Sequence, residues 1–333
     1  MKSKEPKVSV IVALYKSEPF MRKLVDSILS QTYRNIEVLL IDDGSPDNCG
    51  VIADNYAKKD KRVVAVHKKN GGACEARNVG LEKMTGEYVT IIDGDDWLEP
   101  DYVEYFMNIV SKYDADYVIS DKIFTTRDRA QTKRDEISII SPEEAAVRII
   151  YPIVPIGPWN KLFSTKLIKD NNLRFDVPWS GEGLYFTTMA AQLAKRIGYG
   201  HRKVYNYRLN NTNSGLTKYN LTMGTNALWN IKNIQSKLII KTDRLYNATN
   251  WHIWKNYNFV LKLIIATNGV KKEKQLYNEC KSNIRKMALS VAIKSEFNFV
   301  GKIKILIRSL FPVYIAKASI KKERQALMND KME

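Results

Sequence analysis

The sequence predicts an α/β fold, a mostly parallel sheet interleaved with helices, followed by a basic and wholly helical C-terminal region. From Lys7 to Ile92, short β-branched runs alternate with amphipathic stretches, which is the spacing of βαβ units. One run, Val89 to Ile92, ends in Asp93-Gly94-Asp95-Asp96, as expected of a buried strand that opens on a ligand-binding sheet edge. After about Asn220 the apolar spacing becomes helical throughout, with Leu228, Ile231, Ile234 and Leu238 near one face.

Lys7 to Leu14 reads as the first strand. Pro19 to Gln31 follows as a helix, with Phe20, Leu24, Ile28 and Leu29 at helical spacing. Ile36 to Ile41 is the second strand; it closes on Asp42-Asp43-Gly44-Ser45, and Asp47 is placed to cap a helix reaching about Lys59. Val63 to Val66 is a third strand, Gly71-Gly72 opens a helix from about Ala73 to Met84, and Tyr88 to Ile92 is the fourth strand. Pro100 to Lys112 reads as a helix, Asp116 to Ser120 as a strand, and Thr125 to Glu136 as a polar segment without pattern. Ser141-Pro142-Glu143-Glu144 starts a helix, with proline at the first helical position and carboxylates where the dipole favours them. Helices are expected over Thr165 to Asp170 and Gly181 to Lys195, a strand over Lys203 to Leu209, and a closing loop over Asn210 to Tyr219. Two domains follow, 1–220 and 221–333.

Composition narrows the function classes. At 333 residues the chain has ample core for one large or two ordinary domains. Cys49, Cys74 and Cys280 are widely spaced and odd in number, which argues for a reducing compartment and against a disulfide framework or a cysteine metal site. The N-terminus lacks the apolar run of a secretory signal and no stretch has the length of a membrane span, so a cytoplasmic location is expected. Net charge is +17, and Leu221 to Glu333 holds 21 Lys and Arg against 7 Asp and Glu, a balance of +14 that leaves +3 for the first 220 residues. The tail's expected partner is therefore an anionic surface, membrane lipid or nucleic acid.

Every parallel strand delivers its carboxyl end to one side of the sheet, so Asp42-Asp43 and Asp93 to Asp96 share an edge. Clustered carboxylates call for a cation, and hard oxygen donors suit Mg²⁺ or Mn²⁺; Asp96 could also cap the helix that follows. Gly94 between them would let a ligand approach the backbone. The Gly71-Gly72 turn could offer free backbone N–H groups to phosphate, with Arg77 adding a fork of donors.

Val8 to Val12, Ile41-Asp42-Asp43-Gly44-Ser45, Ala76-Arg77-Asn78, Gly86-Glu87-Tyr88-Val89 and Asp93 to Trp97 with Pro100, in this order and spacing, resemble the family 2 glycosyltransferases of the GT-A fold. The resemblance covers roughly residues 7 to 215 and implies a Rossmann-like nucleotide-diphospho-sugar transferase fold. It implies that Asp43 accepts the uracil N3–H of a UDP-sugar, that Ala13 to Tyr15 line the base, and that Asn70 and Arg77 lie near uracil and diphosphate. Asp93 and Asp95 would be the family's D-x-D pair, on ribose and metal. Pro158 to Phe163 is similar to the acceptor-side segment, and Tyr205 to Ser214 resembles the late loop in which Arg208 and Ser214 close over the diphosphate. Tyr205 and Tyr207 read equally well as alternating strand packing.

The departure is at Ser180-Gly181-Glu182-Gly183. Here the family usually reads Gly-Glu-Asp, the Asp taking the acceptor's proton in inverting transfer, and glycine cannot accept one. Glu182 could serve instead, with a helix N-terminal carboxylate as its other reading; the transfer could run slowly without a base; or the chain could bind sugar nucleotide without efficient turnover. Losing a positioned base typically costs about 10²–10⁴-fold in rate. His67, His201 and His252 have no metal-ligand spacing, and a surface or packing role is expected for His201.

In the tail, Ile303, Ile307, Leu310 and Tyr314 fall at helical spacing among Lys304, Arg308, Lys317, Lys321 and Lys322. Such a helix suits either the surface of an anionic bilayer or ordinary packing with a solvated basic face. The resemblance favours the bilayer, because such enzymes commonly build polysaccharides on lipid-linked acceptors at the inner membrane face. Trp251 and Trp254, one helical turn apart, read as core, so nucleic acid is not the expected partner. The resulting expectation is a metal-dependent inverting transferase acting from a UDP-sugar onto a glycan or lipid-linked hydroxyl in surface polysaccharide synthesis.

Overall fold

The computed structural model describes residues 5–209, 211 and 219–329. The chain divides into two compact units, Met1–Asn211 and Thr212–Glu333, a division somewhat earlier than position 220.

In the first unit the elements run β1 (Val8–Leu14), α1 (Glu18–Leu29), β2 (Ile36–Asp42), α2 (Cys49–Lys59), β3 (Val63–His67), α3 (Ala73–Lys83), β4 (Tyr88–Asp93), β5 (Trp97–Leu98), α4 (Tyr102–Tyr113) and β6 (Tyr117–Ser120). There follow β7 (Phe124–Thr125), β8 (Ser138–Ile140), α5 (Pro142–Ile150), β9 (Lys161–Ser164), α6 (Thr165–Asp170), α7 (Glu182–Leu193), β10 (Ile197–Gly200) and β11 (Tyr205–Tyr207). The main sheet has the order β3-β2-β1-β4-β9-β6-β10-β8, and a small sheet pairs β5, β11 and β7.

β1 lies between β2 and β4 in the parallel part of the sheet, parallel to both. Its register sets Leu14 beside Asp42 and Ala13 beside Asp93, so both acidic corners flank the exit of one strand. Val8, Val10 and Val12 share a core with Leu24, Val25 and Ile28 of α1. On the other face α3 packs so closely that a Cβ at Gly80 would stand 2.4 Å from Ile11 Cγ2.

β9 is antiparallel to both β4 and β6, whereas β6 and β10 run parallel. The chain therefore enters β9 from the carboxyl edge of β4, and the segment ahead of it borders that edge. Sequence periodicity does not predict this strand. Its buried Lys161 breaks the apolar pattern, and the turn into it needs Asn160 at φ 57°. The expected strand over Lys203 to Leu209 narrows to three residues.

The second unit contains α8 (Leu221–Ser236), α9 (Asp243–Ala266), α10 (Lys274–Lys294), α11 (Phe299–Leu310) and α12 (Pro312–Asn329). α9 contacts α8, α10 and α12, and its Leu245, Val260, Leu261, Leu263 and Ile264 are fully buried. Asn220, Thr242 and Asn298 each cap a helix by accepting a backbone N–H. Among the described residues no helix is long and apolar enough to cross a membrane.

Candidate active site

Helix α3 ties the two acidic corners together. At its N-terminal end, Gly72 N–H donates to Asp43 Oδ2 at 2.7 Å; at its second turn, Arg77 Nη2 donates to Asp93 Oδ1 at 2.8 Å. Asp43 also accepts from Gly71 N–H (2.9 Å), Lys68 Nζ (2.7 Å) and Asn70 Nδ2 (3.2 Å). Four donors meet the roughly four lone-pair sites of a carboxylate. This corrects the expectation for Gly71-Gly72: their N–H groups fold inward onto Asp43 rather than outward as a phosphate cradle. Asn70 accordingly anchors the turn, its amide also reaching the Asp43 carbonyl at 2.9 Å. Lys68, which the sequence reading missed, is signalled only by its place just after β3, on the same edge as Asp43. Ala13 near the end of β1 and the half-exposed Tyr15 just after it lie on this edge, with Lys16 Nζ 5.3 Å from the Tyr15 ring centre.

At the other corner the three carboxylates have different surroundings. Asp93 Oδ1 belongs to Arg77. Asp95 Oδ2 accepts from Asn211 Nδ2 at 2.7 Å. Asp96 is buried, accepting from Tyr205 Oη (2.6 Å) and from Arg208 N–H (2.7 Å). Burial raises the proton affinity of Asp95, helped by the charge of Asp93. Burial and the charges of Asp95 and Asp93 push Asp96 up to about 8. Asp96 thus locks β11 to this corner rather than acting as a simple cap. Gly94 differs from expectation as well: a Cβ there would meet Ser17 Oγ at 2.7 Å and the Ala13 carbonyl at 2.9 Å. Its missing side chain admits the start of α1. Arg208 donates from Nε to the Asp95 carbonyl (2.7 Å), with its guanidinium over Phe20 and Trp97. Ser214 lies outside the described residues.

Asp93 Oδ2 and Asp95 Oδ1 have no protein donor among the described residues. Two free carboxylate oxygens at the end of one strand suit a divalent ion that takes its other ligands from water and substrate phosphates. No group of three or more His, Cys, Asp or Glu residues forms a self-sufficient cage among the described residues. The donor set therefore fits a metal shared with its substrate.

Arg77 is buried and forked between Asp93 and Glu182, Nη1 donating to Glu182 Oε1 at 2.9 Å. Burial works against its charge, but the two carboxylates outweigh burial and hold it protonated. Glu182 starts α7 after Ser180 and Gly181, both at positive φ. Its Oε2 has no partner among the described residues. At Gly183 a Cβ would stand 3.0 Å from Pro158 Cδ, 3.1 Å from Gly157 Cα and 3.3 Å from the Ile156 carbonyl oxygen. The segment ahead of β9 occupies the room a side chain would need.

That segment is held by Lys161, whose buried Nζ donates to the carbonyls of Pro155 (2.6 Å), Gly157 (2.8 Å) and Trp159 (3.3 Å). Burial pulls this amine down to about 7, while three carbonyls matching its three N–H bonds oppose that pull. Trp159 stacks on Tyr205 and Tyr207, at 5.0 and 5.2 Å between ring centres. The two tyrosines thus serve the wall of the site and, through the Tyr205 hydroxyl, Asp96. Beyond them, Asp121 and His201 follow β6 and β10 on the same edge and pair at 3.0 Å.

Residues 9–171 match the profile of Glycosyl transferase family 2. The glycosyltransferase GlyA of Streptococcus pneumoniae is 32% identical over 217 residues, 62% of this chain and 31% of GlyA. EpsH of Bacillus subtilis is 33% identical over 218 residues, 61% of each chain. This chain therefore spans less than two thirds of either relative. Among solved structures, S. aureus TarS 1-349 in complex with UDP-GlcNAc superposes with a TM-score of 0.68 at 20% identity, over 96% of this chain and 92% of that one; the likeness is one of fold, of the GT-A type. Residues 9–171, just under half of the chain, thus carry the sequence pattern of glycosyl transferase family 2.

Proposed function

We propose that this chain transfers a sugar from a UDP-sugar to a hydroxyl of a glycan or lipid-linked acceptor, with inversion, in the synthesis of a surface polysaccharide. The observation that carries the reading is the convergence, through α3, of Asp43, Arg77 and the Asp93–Asp95 corner at the exit of β1. The family match and the UDP-GlcNAc held by TarS support the choice of donor.

In this reading the base lies against Ala13 and Tyr15. Asp43 and Asn70 take its edge, the uracil N3–H displacing the Lys68 ammonium from the carboxylate. Asp93 and Asp95 would hold Mn²⁺ or Mg²⁺, and such an ion, when bound, offsets the negative charge that develops on the departing diphosphate. Arg77 keeps Asp93 in place. Arg208 covers the diphosphate. The acceptor oxygen bonds to the anomeric carbon, the bond to UDP breaks with its electron pair leaving on the diphosphate, and the acceptor proton goes to Glu182 Oε2.

A second reading, donor binding without efficient turnover, is favoured by Gly183 and by the crowding around it. Calorimetry with UDP and Mn²⁺, run beside a UDP-sugar transfer assay, separates the two. The transferase reading expects UDP binding that Asp95→Asn weakens, and turnover that Glu182→Gln lowers about 10²-fold or more with donor affinity kept. Binding without turnover in the parent chain selects the second reading. Absence of UDP binding sinks both.

A further inference from the structure

Helix α11 is apolar on the side it turns outward. Ile305 and Ser309 are buried, and Ser309 Oγ takes the Trp254 indole N–H at 3.0 Å, which fixes α11 to α9 by that face. On the opposite face Phe299, Val300, Ile303, Ile307 and Leu310 are exposed, as a spacing of three, four and seven requires for one stripe. Phe311 (60% exposed) and Tyr314 (72%) extend it, and α10 exposes Leu289 and Ile293 as well. Residues 297–322 contain Lys302, Lys304, Arg308, Lys317, Lys321 and Lys322 and no carboxylate side chain.

On the flank of this stripe, between α9 and α11, lies a cavity of about 340 Å³. Trp251, Trp254 and Phe297 form its apolar wall and Lys255, Lys304 and Arg308 its cations. Among the described residues none of the three cations has a carboxylate partner, and Lys255 Nζ lies 5.5 Å from the centre of the Trp251 ring. Burial lowers the Lys255 pKa, the signature of an amine without a counter-charge.

We infer that the second unit is an interfacial membrane-binding module: the outward face of α11 enters an anionic bilayer, and the cavity beside it receives the phosphate of a phospholipid headgroup. An outward apolar stripe with cations on its flank is the pattern of a helix lying in the headgroup plane. Aromatic walls beside those cations suit a group that is anionic at one end and apolar at the other. A second copy of this chain does not fit the face, because pairing would set like charges against each other without a carboxylate to relieve them. The inference is independent of the sugar chemistry.

The test is sedimentation of the full chain with vesicles of phosphatidylcholine alone or with about one third phosphatidylglycerol, where at least about tenfold stronger partitioning onto the anionic vesicles is expected. Phe299→Ser with Leu310→Ser and Phe311→Ser should abolish binding to both compositions. Lys255→Gln with Lys304→Gln and Arg308→Gln should lose about tenfold on anionic vesicles. Lys271→Gln with Lys272→Gln and Lys274→Gln removes the same charge elsewhere and should lose under about threefold. UDP affinity, unchanged in all three, reports folding of the first unit; circular dichroism reports the helices of the second. Equal binding to both vesicle types overturns the inference, and so does equal loss from the two charge-removal sets. A dimer in ultracentrifugation that the serine variant dissolves assigns the face to a second copy instead.

Discussion

Arg77 holds two carboxylates with one guanidinium, so its removal should be felt in folding before it is felt in catalysis. Arg77→Met would leave Asp93 and Glu182 facing each other without a cation. A loss of about 3–5 kcal/mol in urea unfolding is expected, with Arg77→Lys between it and the parent because an ammonium cannot fork. A loss below about 1 kcal/mol would mean the pair is solvated. Gly183 poses the opposite problem of too little room. Ala at this first-turn position gains up to about 1 kcal/mol in helix propensity and meets the backbone of Gly157 and Ile156, an overpacking cost of about 1–3 kcal/mol. Net destabilisation in urea is the expected sign for Gly183→Ala, and a stabilised variant would show that the segment yields freely. At this scale the sequence told which residues gather, since Asp43, Asp93 and Asp95 follow from strand ends and Arg77 from the helix that Gly71-Gly72 opens. It did not tell what each one faces. Gly71-Gly72 folding onto Asp43, and Gly94 making room for Ser17, depend on neighbours distant in the chain.

Elements are joined by a few polar knots. Glu37 of β2 accepts from Lys7 Nζ (2.8 Å), Ser9 Oγ (2.5 Å) of β1 and Thr85 N–H (2.6 Å) ahead of β4. Burial would raise its pKa, but these donors outweigh burial and bring it down to about 2. A carboxylate depressed in the fold adds stability above its unfolded value, near 4.5, and that stability is lost as pH falls towards 2. Of order 3 kcal/mol is at stake. In urea titrations from neutral pH down through this window, Glu37→Gln should lower stability at neutral pH and flatten the acid loss; parallel curves would refute the coupling. Lys161 is the corresponding knot for β9. Lys161→Met should cost about 2–4 kcal/mol by leaving three carbonyls without their donor, and should loosen residues 155–159 in hydrogen exchange. Strands β1 to β4 were legible because apolar runs alternated with amphipathic stretches, those of β2 and β4 ending in Asp and Gly turns. β9 was not, because a lysine occupies a core position there and only the folded carbonyls explain it. The three strands of the small sheet are too short to show any period.

For the molecule as a whole, two units with separate cores predict separate responses to ligand. UDP with Mn²⁺ at about 100 times its Kd should stabilise what it binds by about 2.7 kcal/mol. Hydrogen exchange should then show added protection within residues 5–209 and little within 219–329; even protection across both would mean that they open together. The charge step near residue 220 foretold the second unit's basic character, and helical spacing foretold an apolar stripe in its tail. Which side of α11 packs was hidden until Trp254 and Ser309 were seen to meet. The reversed direction of β9 has one more effect. Because that strand runs against its neighbours, the stretch from Asp121 to Asn160, which supplies the edge strand β8 on its way, both starts and ends at the rim that carries the carboxylates. Insertions, deletions and substitutions there can remodel one bank of the groove while β1 to β4, with everything proposed to grip the nucleotide, stay as they are. Diversity among relatives in what they glycosylate is expected to concentrate in that stretch.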